Sequence, residues 1–387
     1  MAKTIEEINE KIRNGTAVVL NAEEIIGYVG ENGVKKAARD IDVVTTATFG
    51  PMCSSGAFFN FGHSDPPIRM TKVWLNDVPA YAGIAAVDAY LGATELSESL
   101  TNYGGAHVIQ DLVEKKPVKL KAISYGTDCY PRREINTFIN LESINQAYLF
   151  NPRNAYQNYA AAVNSSNKTI FTYMGKLMPN LGNITYSTSS QISPLLNDPY
   201  LRTIGIGTRI FLAGAEGYVA WQGTQHNPCR ERLSNGTPNG AAGTIAVIGD
   251  LKKMNSRYLK AAVFYRYGVS LYVGIGIPIP VLDEEMIDFL KVRDEDILTH
   301  IFDYSVQRRN KPSYGTVNYK QLRSGSLILK GKKIPTGSLS SYQMALEIAD
   351  ILKEKIKCKK FFLTNMVAPL PADERQNVLN GLTENEL

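Results

Sequence analysis

Apolar residues recur at helical spacing at Ile5, Ile8 and Ile12, and Asn14-Gly15 ends that run. The pattern then predicts a short extended entry at 17–20. A second helix, headed by Asn21, runs on through 34–38 with an interruption near Gly30. Residues 42–47 are β-branched and stop at Gly50-Pro51, which predicts a strand ending just before Cys53. Residues 58–77 read as loop, 106–114 as a helix and 118–125 as a second strand leading to Cys129. Residues 138–159 carry a partly helical pattern, and 164–199, rich in Ser, Thr and Asn, give only uncertain short elements.

From 204 the pattern changes. Runs at 204–212, 217–221, 243–248, 261–267 and 270–277 alternate with Gly-rich turns and predict successive strands. Acidic residues at 283–285 and 294–296 predict two helix starts, because the helix dipole favours negative charge in the first turn. Residues 341–357 predict a longer helix with Met344, Ile348, Ile351 and Leu352 on one side. The expected fold is α/β: a mixed sheet body with helices and a β-rich middle section. The body is expected to span 1–370, with room for two lobes at about 1–200 and 201–370, and 371–387 reads as a tail.

Composition narrows the class. The chain has 387 residues, 44% hydrophobic and 20% charged, enough for a large core. The net charge of +5 is too mild, and Lys and Arg too scattered, to expect nucleic acid. No apolar run reaches the ~18 residues of a membrane span, and no leader is visible at the N-terminus, so a cytoplasmic protein without membrane association is expected. Four cysteines in such a chain point to free, catalytic or metal-bound thiols rather than a disulfide scaffold.

Three of those cysteines carry the strongest chemical signal. Cys53, Cys129 and Cys229 lie among Gly, Pro and Asp in loops, whereas Cys358 lies in a Lys-rich helical stretch. Core cysteines occupy apolar elements, and loop-borne thiols are reachable as nucleophiles or soft metal ligands. No CxxC is present, so the spacing itself carries no metal signature. Three converging thiolates would hold a 4Fe-4S cluster with one open iron, or with His226 a zinc ion. Equally, the three can be unrelated loop residues.

Other residues add to this. His226, in a Gly-led loop after Trp221, has the setting of an acid/base or a ligand, with His63 as a second candidate. His107 and His300 read as structural residues on helices. Arg132 and Arg133 follow Cys129, and Arg230 follows Cys229. Guanidinium groups bind carboxylates and lower a neighbouring thiol's pKa, so they favour an anionic substrate. Gly205 and Gly207 would let a ligand approach the sheet. Neither Gly-x-Gly pair completes a dinucleotide fingerprint, and nothing indicates NAD, FAD or PLP.

The segments Thr46-Ala47-Thr48-Phe49-Gly50-Pro51-Met52-Cys53-Ser54-Ser55-Gly56, Tyr125-Gly126-Thr127-Asp128-Cys129-Tyr130-Pro131-Arg132-Arg133-Glu134 and Gly223-Thr224-Gln225-His226 resemble the homocysteine-biosynthesis family of methanogenic archaea and other anaerobes. The resemblance reaches to about residue 370. Some members append tandem CBS domains, and a form lacking them is expected here. The resemblance implies a sulfurtransferase that converts L-aspartate semialdehyde to homocysteine by sulfur incorporation and reduction. It implies a ferredoxin-like iron–sulfur protein as electron donor, with Cys53 and Cys129 matching the family's functional cysteines. In that chemistry the small-molecule partners are an amino acid aldehyde and sulfide. The active sulfur would sit on the open iron of a cluster held by Cys53, Cys129 and Cys229, or as a persulfide relayed between Cys53 and Cys129. His226 would be the acid and Arg132 or Arg133 the carboxylate anchor. A non-enzymatic zinc or iron–sulfur carrier or scaffold is the alternative class. A homo-oligomer is compatible with all of these.

Overall fold

A computed structural model describes residues 2–374 and 377. Most of the predicted tail, 371–387, therefore lies outside the described residues. The fold is α/β and is dominated by one 10-stranded sheet. Its order is Val19–Asn21, Val43–Pro51, Gly268–Pro280, Arg209–Leu212, Ala215–Gln222, Ile245–Asp250, Gln146–Asn154, Gly56–Asn60 and Asp88–Gly92, with Leu259–Phe264 branching off Gly268–Pro280. Only the first pair is parallel. A 6-stranded sheet joins Ala161–Val163 and Ile184–Tyr186 to four strands from 298–338. A 4-stranded sheet carries Val118–Ile123 and Glu134–Ile139. Strands from both sides of residue 200 pair in the two largest sheets, so these sheets do not divide there.

The centre is the pairing of Val43–Pro51 with Gly268–Pro280, in register over nine residues from Pro51 opposite Tyr272 to Pro280 opposite Val43. Both strands are buried on both faces, which is why they read as continuous apolar and β-branched runs. Helix Tyr342–Lys357 covers one face with Ala345, Ile348, Ala349, Leu352 and Ile356, leaving Met344 and Ile351 half-buried. Its approach is close because the sheet offers glycine there. A Cβ on Gly274 would lie 2.6 Å from Ile348 Cδ1 and 3.2 Å from the Tyr258 carbonyl.

The first helix, Ile5–Asn14, forms as predicted. Thr4 and Glu7 make a capping box, Ile8 and Ile12 are buried, and Gly15 closes it at φ 74°. Asn21 accepts from the amides of Glu23 and Glu24, but the helix behind it breaks at Gly33 rather than Gly30. Other differences have plain physical causes. Residues 138–159, read as partly helical, instead hold the end of strand Glu134–Ile139 and the whole of strand Gln146–Asn154, where tertiary pairing overrides the local pattern. The 58–77 stretch contains strand Lys72–Leu75 and the end of Gly56–Asn60. Asp294 opens no helix. It is buried, accepts hydrogen bonds from Ser190 and the Gln191 amide, and pairs with Arg323. Among the described residues no helix is long and apolar enough to cross a membrane.

Candidate active site

Strand Val43–Pro51 ends in a tight turn, pinned by the Met52 amide on Leu271 O (2.7 Å) and the Ser55 amide on Met52 O (3.0 Å). Cys53 sits at this turn, partly exposed, as the strand-to-loop pattern predicts. Its Sγ lies 3.3 Å from Oγ of Ser270, a fully buried residue on the neighbouring central strand. The thiol therefore stands at the end of the buried central pair of strands, with a hydroxyl beside it.

A cavity of about 350 Å³ opens in front of Cys53. Thr48 and Cys53 line it from the large sheet, Tyr156 and Tyr159 from the crossing to the smaller one, and Ser187 to Ser189 from the loop after Ile184–Tyr186. That loop is held by the buried Asp294, which bonds Ser190, a residue at φ 53°. The volume suits a metabolite-sized ligand.

Arg153 supplies the positive charge. It is the penultimate residue of strand Gln146–Asn154, lines the cavity, and lies 5.8 Å above the Tyr156 ring. Its Nε is buried without a hydrogen-bond partner, and among the described residues no carboxylate pairs with it. A half-buried guanidinium with a buried, open donor is suited to an anion. Ser189 Oγ, also facing this region of the chain, is likewise buried and unbonded.

Tyr156, Tyr159, Tyr173 and Tyr267 also line the cavity, and Tyr304 joins them through Tyr173. Tyr159 donates to the Tyr173 hydroxyl at 3.2 Å, and the Tyr173 and Tyr304 hydroxyls are 2.9 Å apart. Burial pushes Tyr159 and Tyr304 far up, so both stay phenols. Burial pushes Tyr156 up to about 12, against the opposing charge of Arg153, and raises Tyr267 and Tyr272. The site thus offers neutral hydroxyl donors beside one thiol and one guanidinium.

The remaining sequence candidates lie elsewhere. Cys129 is exposed on the 124–133 loop, 3.6 Å from Thr127 Oγ1, and Cys229 is exposed with Sγ 3.7 Å from Ala372 O. Among the described residues no group of three or more His, Cys, Asp or Glu is gathered to hold a metal ion. The arrangement in this chain therefore does not fit a cluster ligated by Cys53, Cys129 and Cys229, nor zinc with His226. The buried His226 accepts from the Thr244 amide at Nδ1 (3.1 Å) and bonds Pro371 O through Nε2 (3.1 Å). The same loop gives the cavity Gln225 instead. Arg132 donates to the carbonyls of Asp65 and Pro66, Arg230 donates to Asn239 O, and Arg133 packs over Gly126. His63 stacks on Tyr130, and His107 accepts from the Gly104 amide at its helix start. His300, read as helical, lies on strand Leu298–Asp303 and bonds Asn239. Gly205 and Gly207 admit Met366 to Ala368 of the chain itself, not a ligand.

The profile of the family described as "Homocysteine biosynthesis enzyme, sulfur-incorporation" matches residues 17–363. This chain belongs to that family. Cys53, Arg153 and the tyrosine wall all fall within the matched span of the family. Two relatives are named L-aspartate semialdehyde sulfurtransferase. The protein of Methanosarcina acetivorans is 54% identical over 369 residues, covering 95% of this chain and 72% of its own. That of Methanocaldococcus jannaschii is 52% identical over 397 residues, covering 98% and 76%. A protein of Methanothermobacter thermautotrophicus, named only as uncharacterized, is 30% identical over 310 residues. No solved structure matches the chain. As a family member the chain is a sulfur-incorporating enzyme of homocysteine biosynthesis.

Residue-level reasoning missed Arg153, Ser270 and the tyrosines. Arg153 fell in a stretch read as helical, and Ser270 began an ordinary strand. The available signal was the tyrosine content, 21 residues, several of them within 148–173 and 258–272.

Proposed function

We propose that the chain converts L-aspartate semialdehyde to homocysteine in the cavity in front of Cys53, with the transferred sulfur carried as a persulfide on Cys53. The observation that carries this reading is the pairing, in one cavity, of a reachable thiol with the unpaired guanidinium of Arg153. The names of the two relatives supply the substrate.

The chemistry follows from the side chains. Arg153 binds the substrate carboxylate and sets the aldehyde before Cys53. The terminal persulfide sulfur adds to the aldehyde carbon, giving Cys53–S–S–CH(OH)–R. Two electrons and two protons cleave the S–S bond, regenerating the Cys53 thiol and leaving HS–CH(OH)–R. Water departs, with a tyrosine hydroxyl donating to the leaving oxygen, and a thioaldehyde remains. Two further electrons and two protons give the thiol. The sum is RCHO + Cys–SSH + 4 e⁻ + 4 H⁺ → RCH₂SH + Cys–SH + H₂O. The Tyr159–Tyr173–Tyr304 chain relays protons from solvent in this scheme, each hydroxyl taking up a proton as it gives one. A reduced ferredoxin-like iron–sulfur protein supplies the electrons.

The test is anaerobic incubation with L-aspartate semialdehyde, a sulfur source and a reduced iron–sulfur donor. Homocysteine should form, and Cys53→Ser should abolish it. Iron analysis and absorbance near ~400 nm of the anaerobically purified protein separate the carriers. A metal-free, active protein supports the persulfide. Stoichiometric iron lost on Cys229→Ala would place the sulfur on a cluster formed when the three loops meet. Failure to form any homocysteine would leave a carrier or scaffold.

A further inference from the structure

Cys53 borders two cavities, not one. Beyond the 350 Å³ chamber described above lies a second of about 380 Å³, lined by Thr94, Leu96, Gly268 and Val269. Cys53, Ser54, Arg153 and Tyr267 line both, so these four side chains form the partition between them. The second chamber has a different character. Apart from the shared Ser54 and Tyr267, the tyrosines and serines of the first chamber are missing from it, and its rim is exposed: Leu96 is 50% and Tyr267 44% accessible.

The partition is built to stay in place. The Cys53 turn is fixed by Met52 and Ser55 backbone bonds, and the Ala93 amide donates to Ser55 O at 2.8 Å, tying the 93–96 loop to it. Tyr267 and Gly268 stand at the hairpin between Leu259–Phe264 and Gly268–Pro280, where the Tyr267 amide bonds Phe264 O at 2.9 Å. Gly268, at φ 145°, has nothing within 4 Å of where a Cβ would stand, so it adds no bulk to this wall.

A sulfur carrier needs two visitors at the same atom, one to load it and one to unload it. With a single chamber these compete for the same space. We propose that Cys53 is loaded from the second chamber by a small anionic polysulfide and unloaded in the first, an inference that rests on the sulfurtransferase reading above. The loading step balances without further reagents: Cys53–S⁻ + Sₙ²⁻ → Cys53–S–S⁻ + Sₙ₋₁²⁻. The thiolate attacks a terminal sulfane sulfur, the S–S bond behind it breaks, and the electron pair leaves on the shortened polysulfide. Cys53 gains the oxidation level that the polysulfide loses. Arg153, present on both sides, attracts the polysulfide anion in one chamber and the carboxylate in the other. The chamber's volume fits a chain of a few sulfur atoms, and its apolar Leu96 and Val269 suit their polarizable surface.

The experiment separates loading from delivery. Inorganic tetrasulfide is mixed anaerobically with the full chain, and persulfide on Cys53 is followed by mass spectrometry. The loaded protein, freed of tetrasulfide, is then given L-aspartate semialdehyde and a reduced iron–sulfur donor in single turnover. Thr94→Trp and Leu96→Trp replace exposed residues and fill the second chamber. Each should slow loading tenfold or more while delivery stays within twofold. Ser187→Phe, in the first chamber, should slow delivery and leave loading within twofold. Unchanged loading in both tryptophan variants, or loading slowed equally by Ser187→Phe, would overturn the two-sided route. Loading that obeys the pattern while no loaded protein yields homocysteine would uphold the route and refute the sulfurtransferase reading instead.

Discussion

Cys53 Sγ and Ser270 Oγ lie 3.3 Å apart across the two central strands of the large sheet. Ser270 is fully buried, and its hydroxyl is free to rotate towards a thiolate. A hydrogen bond to a charged acceptor contributes about 1.5–3 kcal/mol. Ser270→Ala should therefore lower the rate of Cys53 alkylation by iodoacetamide near neutral pH on the order of tenfold, with Ser270→Thr restoring much of it. Equal rates in the native and alanine proteins would show that the hydroxyl does not support the thiolate.

Arg153 meets no carboxylate among the described residues, and its Nε is unbonded. Removing it should cost binding more than folding. Arg153→Met should raise KM for L-aspartate semialdehyde about 30- to 100-fold, the equivalent of about 2–3 kcal/mol for a charge-assisted contact. Arg153→Lys should recover only part of it, because ammonium lacks the planar fork. Steady-state kinetics decide this. An unchanged KM would remove Arg153 from the substrate site.

The structure shows why some of this was legible and some was not. Strand Val43–Pro51, the helix Ile5–Asn14 and the placement of Cys53 follow from local rules: β-branched runs, a capping box and a Gly-Pro stop. Glycine in strands was read as close backbone approach, and Gly274 under Ile348 obeys that reading. Gly205 obeys it too, although the approaching group is the chain's own Met366. What stayed hidden depends on long-range partners. Arg132 carries charge next to a cysteine, yet its donors are consumed by the carbonyls of residues 65 and 66. His226 sits in a polar loop, yet both ring nitrogens serve backbone contacts to residues 244 and 371. Arg153 acquires its meaning only when strand Gln146–Asn154 is seen to end beside the Cys53 turn.

Gly274 tests the packing side of the account. Its missing side chain lets Ile348 and the backbone of Tyr258 close on the central strand. The Tyr258 carbonyl cannot move out of the way as a flexible side chain would. Gly274→Ala should lower stability by about 1–3 kcal/mol through overpacking, read from the urea midpoint at unchanged slope. No shift would mean that the helix Tyr342–Lys357 has room to retreat.

Tyr319 gives the stability a pH dependence. The residue is fully buried, donates to Asn158 Oδ1 at 2.6 Å, and burial pushes its pKa up to about 12. In the unfolded chain the phenol ionises near pH ~10. The folded chain then holds the proton that the unfolded chain releases. Stability is fully present below about pH 10 and is lost as pH rises towards about 12. The loss from this group is on the order of 3 kcal/mol. Tyr319→Phe should flatten the fall while costing about 1–3 kcal/mol at neutral pH, where Asn158 loses its donor. Denaturant melts from about pH 8 to about pH 11.5, which span the phenol range, check both; an equally steep fall in the variant would assign the loss to other groups.

The most direct test follows one sulfur atom. Cys53 is loaded with isotopically heavy sulfane sulfur, freed of excess reagent, and given L-aspartate semialdehyde with a reduced iron–sulfur donor in a single anaerobic turnover. The account predicts heavy sulfur in homocysteine, up to one equivalent per loaded Cys53, with none from a Cys53→Ser protein treated in the same way. Homocysteine carrying only light sulfur, or heavy homocysteine from Cys53→Ser, would contradict it.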